Sequence, residues 1–426
     1  MNYLQAWERF GALCYDDLPA EVQRVAHQCV LDWMGCAVAG SAEPLAEILR
    51  AEFGHRSGPC TVIGSELTVD ASTAALLNGA SGHALDYDDT NPGVGCHATA
   101  PVWPAALAVA EEIGATGAEL ITAFVVGVEI EGRVGRAVGT EHYNKGWHTT
   151  ATFGTFGATA AVAHLLKLDA DAYAVAMGLA ASKAAGVKAN FGTMTKPYHA
   201  GQAAESGLIA ARLAARGFTA NADAVFGNQG YIQAGGIGVP YNERVDAVAE
   251  KWLILDSLFK YHAACHLTHA AIESVLSLRT KVDAGDLSSI TLTVNPDILD
   301  VCGIPEPSTG LEGKFSLRGT TAMALLGIDT SNPDTFVDDV VNRDDVQALL
   351  RQVTVETDAS LTTMQTRITC VDGQQNRHEA YHDTNVPDRD LDRQQDKLAQ
   401  KFVSLTGDAD RGGRILDLAG APQIAV

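Results

Sequence analysis

Positive charge is scarce in this chain. Thirty Lys and Arg residues stand against 52 Asp and Glu, giving a net charge of −22 and a pI near 4.9. A phosphate backbone or an anionic membrane surface would be repelled, so neither nucleic acid nor membrane is expected as a partner. Long apolar runs are missing too. The best candidate, ELITAFVVGVEIEGRVG, is broken by Glu129, Glu131 and Arg133, and no transmembrane helix is expected. The eight cysteines stand singly at 14, 29, 36, 60, 96, 265, 302 and 370, with no C-x-x-C pair. That removes the zinc-ribbon and thioredoxin readings and points to reduced thiols in a cytoplasmic protein. The opening MNYLQAWERFGALCYDDLP has no charged segment leading into an apolar run, so it does not read as a signal peptide. No G-x-G-x-x-G follows a strand, G-x-x-x-x-G-K-[ST] and G-x-S-x-G do not occur, and the H-E-x-x-H at His378–His382 lies in an alternating hairpin run rather than on a helix. A nucleotide cradle, a hydrolase elbow and a zinc-protease helix are therefore not expected. Aromatics are only 6% of the chain, and this Ala- and Gly-rich composition suits closely packed helices better than a β-sandwich.

A chain of 426 residues with 46% hydrophobic content can bury a large core and exceeds one ordinary domain. Up to about residue 260 it is dominated by helical spacing. In EVQRVAHQCVLDWMGCAVAG, for example, Val22, Val25, Ala26, Cys29, Val30, Trp33 and Met34 form one stripe. Beyond about 265 the texture changes. LSSITLTVNPDIL and VTVETDA read as strands, and MQTRITCVDGQQNRHEAYHDT reads as a hairpin around Asp372-Gly373. FSLRGTTAMALLGI and the acidic PDTFVDDVVNRDDVQALLRQ read as helices between them, and PDRDLDRQQDKLAQKFVSLTG returns to helix. The expected fold is mainly α with an α+β second domain: residues 1–264 and 388–426 form a helical domain, and 265–387 a smaller α+β domain.

Four polar clusters interrupt the apolar texture. GHALDYDDTNPGVGCH, residues 82–97, sets Asp86, Asp88 and Asp89 between His83 and His97. It reads as a cation trap, an acid/base site or a capped turn. KYHAACHLTH brings Lys260, His262, Cys265, His266 and His269 together. On a helix, His262 and His266 would share a face and suit zinc, while Lys260 favours a basic substrate pocket. In NFGTMTKPYHAG, Pro197 disfavours helix at Lys196, which places that lysine in a loop before a helix N-terminus, where an anion would be welcome. In EHYNKGWHTTATFG, Tyr143, Lys145 and His148 precede a helix starting at Thr149 or Thr150, and Tyr or His there could move protons. Lysines with histidines suit a polycarboxylate, and Asp, Tyr or His then handles a proton.

The ordered set GHALDYDDT with His97 downstream, KGWHTTATFGTFGA, GTMTKPYHAG and FKYHAACHLTH resembles the MmgE/PrpD family along nearly the whole chain, with GKFSLRGTTAMALL as a divergent fifth stretch. That family includes 2-methylcitrate dehydratases, cis-aconitate decarboxylases and iminodisuccinate epimerases. The resemblance implies a helical domain built from both chain ends, a smaller α+β lid, an active site between them, a homodimer, and no metal or organic cofactor. It maps catalytic roles to Asp86, His97, His148 and Lys196, and carboxylate binding to Thr90 and Lys260. Where some decarboxylase-like members carry a histidine, this chain has Cys265, with His266 beside it. Where many members read F-S-L-P-Y, it has Arg318 and Gly319, losing the tyrosine and gaining an arginine able to grip a carboxylate. With Tyr143 added as a second proton-moving group, the leading expectation is epimerisation of an imino-dicarboxylate. The alternative is a lyase of methylcitrate-dehydratase or cis-aconitate-decarboxylase type.

Overall fold

The computed structural model describes residues 3–139, 141–235, 251–422 and 424. The chain divides into two compact units, Met1–Phe259 with Arg389–Val426, and Lys260–Asp388. The division falls after Phe259, a few residues earlier than composition indicates. Leu258 exchanges backbone hydrogen bonds with Thr90 at 2.9 and 2.7 Å, holding that segment to the first unit. Ala263 N–H donates to Thr330 and Cys265 N–H to Lys314, tying the next residues to the second.

The first unit is helical: α1 (Ala20–Gly40), α2 (Ala71–His83), α3 (Thr99–Ile113), α4 (Gly117–Val138), α5 (Thr149–Leu165), α6 (Ala170–Lys183) and α7 (Thr195–Ala215). Their starts follow local chemistry. The Asp70 carboxylate accepts from the N–H groups of Ser72 and Thr73, and Thr116 and Glu119 form a capping box. α7 packs against α5 and α2, and α4 against α5. The α2–α7 crossing depends on paired glycines: a Cβ on Gly79 would lie 2.8 Å from the Gly201 Cα.

Two local expectations fail here. Residues 57–69 contain a short antiparallel pair, β1 (Ser57–Thr61) and β2 (Thr68–Val69), which SGPCT conceals because Gly and Pro dilute its strand pattern. It is anchored instead by Glu111, whose carboxylate accepts from the Thr61 N–H and hydroxyl at 2.9 and 2.7 Å. Lys196 is not in a loop but is the second residue of α7. Pro197 is tolerated because first-turn N–H groups have no intrahelical partner to lose.

In the second unit, α8 (His266–Leu278) and α9 (Leu317–Leu325) accompany a four-stranded sheet of order β4-β3-β5-β6. The strands are β3 (Leu287–Val294), β4 (Val353–Thr357), β5 (Gln365–Asp372) and β6 (Arg377–Asp383). β3 and β4 are parallel, whereas β3–β5 and β5–β6 are antiparallel. The Asp372 carboxylate fixes the expected hairpin by accepting from the Gln374 and Asn376 N–H groups. The single acidic helix expected after Pro333 is broken into Asp338–Val341 and Asp344–Leu350. The Asp338 carboxylate accepts from Gly310 N–H, and the Asn342 amide donates to the Ser308 carbonyl, so the segment is pinned at the break.

The chain then returns to the first unit as α10 (Leu391–Thr406), packed along α1. The Lys401 ammonium is buried there, 2.6 Å from the Asp32 carboxylate and 2.6 Å from the Tyr87 carbonyl. No described helix is long and apolar enough to cross a membrane. The chain is mainly α with an α+β second unit, as its patterning indicates.

Candidate active site

The first-unit site is built on the connection from α2 to α3. Asp86 sits in the left-handed region (φ 51°), uncommon for a side chain with a Cβ. Its neighbours hold it there. The Asp86 N–H donates to the His83 carbonyl, and Lys401 fixes the Tyr87 carbonyl. Asn91 is fully buried, donating to the Leu253 carbonyl and accepting from Val94 N–H. α4 supplies the floor: buried Arg133 pairs with Glu129, which accepts from Ile254 N–H, and the Cys96 thiol donates to Glu131. Burial pushes the Glu131 carboxyl well up, so it stays neutral. The polar side chains that interrupt the apolar run of α4 therefore position this connection.

Within this frame the Asp88 side chain is wholly buried between two imidazoles. His83 Nδ1 lies 2.9 and 3.0 Å from its two oxygens, and His97 Nδ1 lies 3.4 Å away. Burial alone would raise the Asp88 carboxyl; the neighbouring rings outweigh it and hold the group well below its ordinary range. His83 is pushed down to about 4 by burial, so it is a neutral ring that donates from Nδ1. His97 Nδ1 lies 2.9 Å from the Asp89 carbonyl, which can only accept, so that nitrogen carries hydrogen. The atom left to exchange a proton is Nε2, which faces Asp86 at 3.6 Å. Asp89 is buried with its carboxyl pushed well up, first by burial and then by Asp32 and Asp88.

Lys196, at the start of α7, reaches Asp86 at 2.7 Å. Phe191 lies beside both Lys196 and His148, its ring centroid 5.6 Å from the ammonium and 4.9 Å from the imidazole centroid. His148 opens α5, with its N–H on the Gly186 carbonyl and its Nδ1 3.1 Å from His199 Nδ1. Burial, together with His83, Lys196 and the other rings, pushes His148 down to about 2, so it is neutral at any physiological pH. Tyr143 lies in the short helix Glu141–Asn144 and is 40% exposed rather than buried. Burial of part of its side chain and the Asp86 charge raise its hydroxyl, which stays protonated. The Lys188 ammonium lies 3.4 Å from the Tyr143 ring centroid. Asp86, His97, His148 and Lys196 thus converge, with Tyr143 beside them. Thr90 is half-buried and fixed through its backbone to Leu258.

Lys260, His266 and Arg318 belong to the second unit. Lys260 is buried. The zinc geometry expected of His262 and His266 does not form, because α8 begins only at His266 and His262 precedes it. His262 instead accepts or donates with the Thr330 hydroxyl at 2.8 Å and meets Glu273 at 3.3 Å, while His269 stacks edge-on with both other rings. Arg318 is half-buried near the start of α9, which packs on α8.

Sequence reasoning named His83 and Asp88 in the GHALDYDDTNPGVGCH cluster but left both, with His199, outside the expected site residues. The available signal was a cluster of carboxylates in a chain only 19% charged. His83, Asp86, Asp88 and His97 each bring one ligand atom within 4.8 Å of the others, a donor set that could hold a divalent transition metal. Lys196 already sits on Asp86, and two imidazoles share Asp88.

Residues 10–243 match the MmgE/PrpD N-terminal domain and residues 262–413 the MmgE/PrpD C-terminal domain. A cis-aconitate decarboxylase of Aspergillus terreus is 29% identical over 370 residues, covering 80% of this chain and 75% of the relative. That of Aspergillus terreus strain NIH 2624 / FGSC A1156 is 30% identical over 369 residues, with the same coverage. The cis-aconitate decarboxylase of Homo sapiens is 28% identical over 353 residues, covering 79% of this chain and 72% of the relative. With both domains matched in order and the motif residues of the first converging on one carboxylate, this chain is an enzyme, isomerase or lyase, of the MmgE/PrpD family.

Proposed function

We propose that the protein is a lyase that removes carbon dioxide from a small unsaturated tricarboxylate of the cis-aconitate type. The observation that carries this reading is the placement of Lys196 and His97 on the same Asp86 carboxylate. The relatives at 28–30% identity support it and weigh against the epimerase expected first. When the bond to the departing carboxylate breaks, its electron pair stays on the substrate carbon and spreads into the conjugated system. A nearby ammonium stabilises that charge, and Lys196 supplies one. A proton must then reach carbon. His97 is oriented for this: Nδ1–H is tied to the Asp89 carbonyl, Nε2 exchanges the proton, and Asp86 steadies the charged ring. His148, neutral throughout, hydrogen-bonds rather than holds charge. Thr90, Lys260, His266 and Arg318 are proposed as carboxylate-binding residues, and the functional form as a homodimer.

The test is incubation with cis-aconitate in heavy water, followed by NMR and carbon dioxide capture. We expect carbon dioxide and an unsaturated dicarboxylate carrying one deuterium. Lys196→Ala should lower the rate by about 10²-fold or more. Treatment with a chelator should leave the rate unchanged, because every step is assigned to side chains. Absence of carbon dioxide release would remove the decarboxylase reading. One feature favours the isomerase: Arg318 and Gly319 stand where many members have proline and tyrosine. Deuterium entering an imino-dicarboxylate with inversion, and no carbon dioxide, would establish that alternative.

A further inference from the structure

A cavity of about 720 Å³ lies in the first unit, lined among others by Gly93, Gly95, Arg136, Tyr143, Thr149 and Phe153. It adjoins the site along the chain. Gly95 is two residues before His97, Thr149 follows His148, and the Tyr143 hydroxyl feels the Asp86 charge. Among its described lining residues Arg136 alone is charged. The Arg136 Nε is buried and meets no hydrogen-bond acceptor among the described residues, and no carboxylate there pairs with its guanidinium. The residue as a whole is only half-buried, and the two terminal nitrogens of a guanidinium match a carboxylate bidentately. The remaining walls combine apolar surface from Val94 and Phe153 with the hydroxyls of Thr149 and Tyr143. The loop carries no Cβ at Gly93 or Gly95, and a Cβ on Gly95 would meet no described residue within 4 Å.

We propose that this cavity receives the carboxylate of the substrate farthest from Lys196, and that Arg136 grips it and so selects which acids are accepted. The proposal rests on the reading of the protein as a polycarboxylate enzyme and adds a specificity-determining residue to it. The apolar walls hold the carbon skeleton, the guanidinium takes both oxygens of one end, and Tyr143, in the same lining, is the residue that feels the Asp86 charge.

The probe is tricarballylate, a saturated tricarboxylate that has no alkene and cannot follow the proposed reaction. Its binding to the full chain is measured by calorimetry, beside the steady-state kinetics of cis-aconitate. Arg136→Gln should weaken tricarballylate roughly 10- to 100-fold and raise KM for cis-aconitate in proportion, with kcat changed only a few-fold. Arg136→Lys, which keeps the charge and stem but not the fork, should fall between the two. It also serves if the glutamine variant fails to fold. Unchanged affinity in a folded variant overturns the proposal, and so does a wild-type protein that does not bind tricarballylate. Binding that depends on Arg136 without any carbon dioxide from cis-aconitate would retain the cavity and remove the lyase reading.

Discussion

At the scale of single residues, the site is governed by carboxylates held in opposite protonation states a residue apart. Asp88 is ionised because two imidazoles face it, and Asp89 is neutral because it is buried beside other acids. Asp88→Asn keeps the shape but turns an amide donor toward rings that are themselves donors. We expect kcat to fall about 10²-fold, read from steady-state kinetics with cis-aconitate. Asp89→Asn should act in the other direction, on stability. A carboxyl whose folded pKa is raised contributes stability that is lost as pH rises above its unfolded value. The asparagine should therefore raise the thermal midpoint, more at about pH 8 than at about pH 5. An equal shift at both pH values would show that Asp89 is not the titrating group. None of this division was legible in D-Y-D-D. The sequence places three acids together, but which one is buried against histidine depends on Lys401, Asn91 and Glu131, far apart along the chain. Lys196, His97 and His148 were legible because family-like motifs mark them, and the meeting of Lys196 and His97 on Asp86 was not.

At the scale of elements, long Ala- and Leu-rich runs located the helices well; α2 and α5 are buried nearly all round, so the length of the apolar run marks them more than a one-sided period. Failures came where one local rule met a stronger circumstance. Pro197 disfavours helix at the residue before it, yet the first turn has no hydrogen bond for proline to break. SGPCT pairs as a strand because Glu111 and Asn78 hold it, not because of its own pattern. The glycine crossing of α2 on α7 sets the approach of Lys196 to Asp86. Gly201→Ala would drive a methyl into the Leu76 carbonyl. It should cost about 1–3 kcal/mol by urea denaturation and lower activity by loosening the Lys196–Asp86 contact.

At the scale of the whole molecule, the second unit is inserted into the first, and α10 completes the first from the far end of the chain. Composition alone revealed that return, though not what it does. The buried Lys401 neutralises Asp32 and fixes the carbonyl next to Asp86. Lys401→Met should destabilise the protein by about 3–5 kcal/mol, because it leaves a buried carboxylate without its cation. The loss should appear as a lower urea midpoint, and a neutral Asn at position 32 in the same chain should recover part of it. The two partners are 369 residues apart in sequence. On the ribosome, Asp32 would therefore wait for the Lys401 ammonium until residue 401 has emerged, whereas the inserted unit has all its strands by then. The carbonyl next to Asp86 is fixed only from that point on, so the segment around Asp86 reaches its final form after the inserted unit has been made.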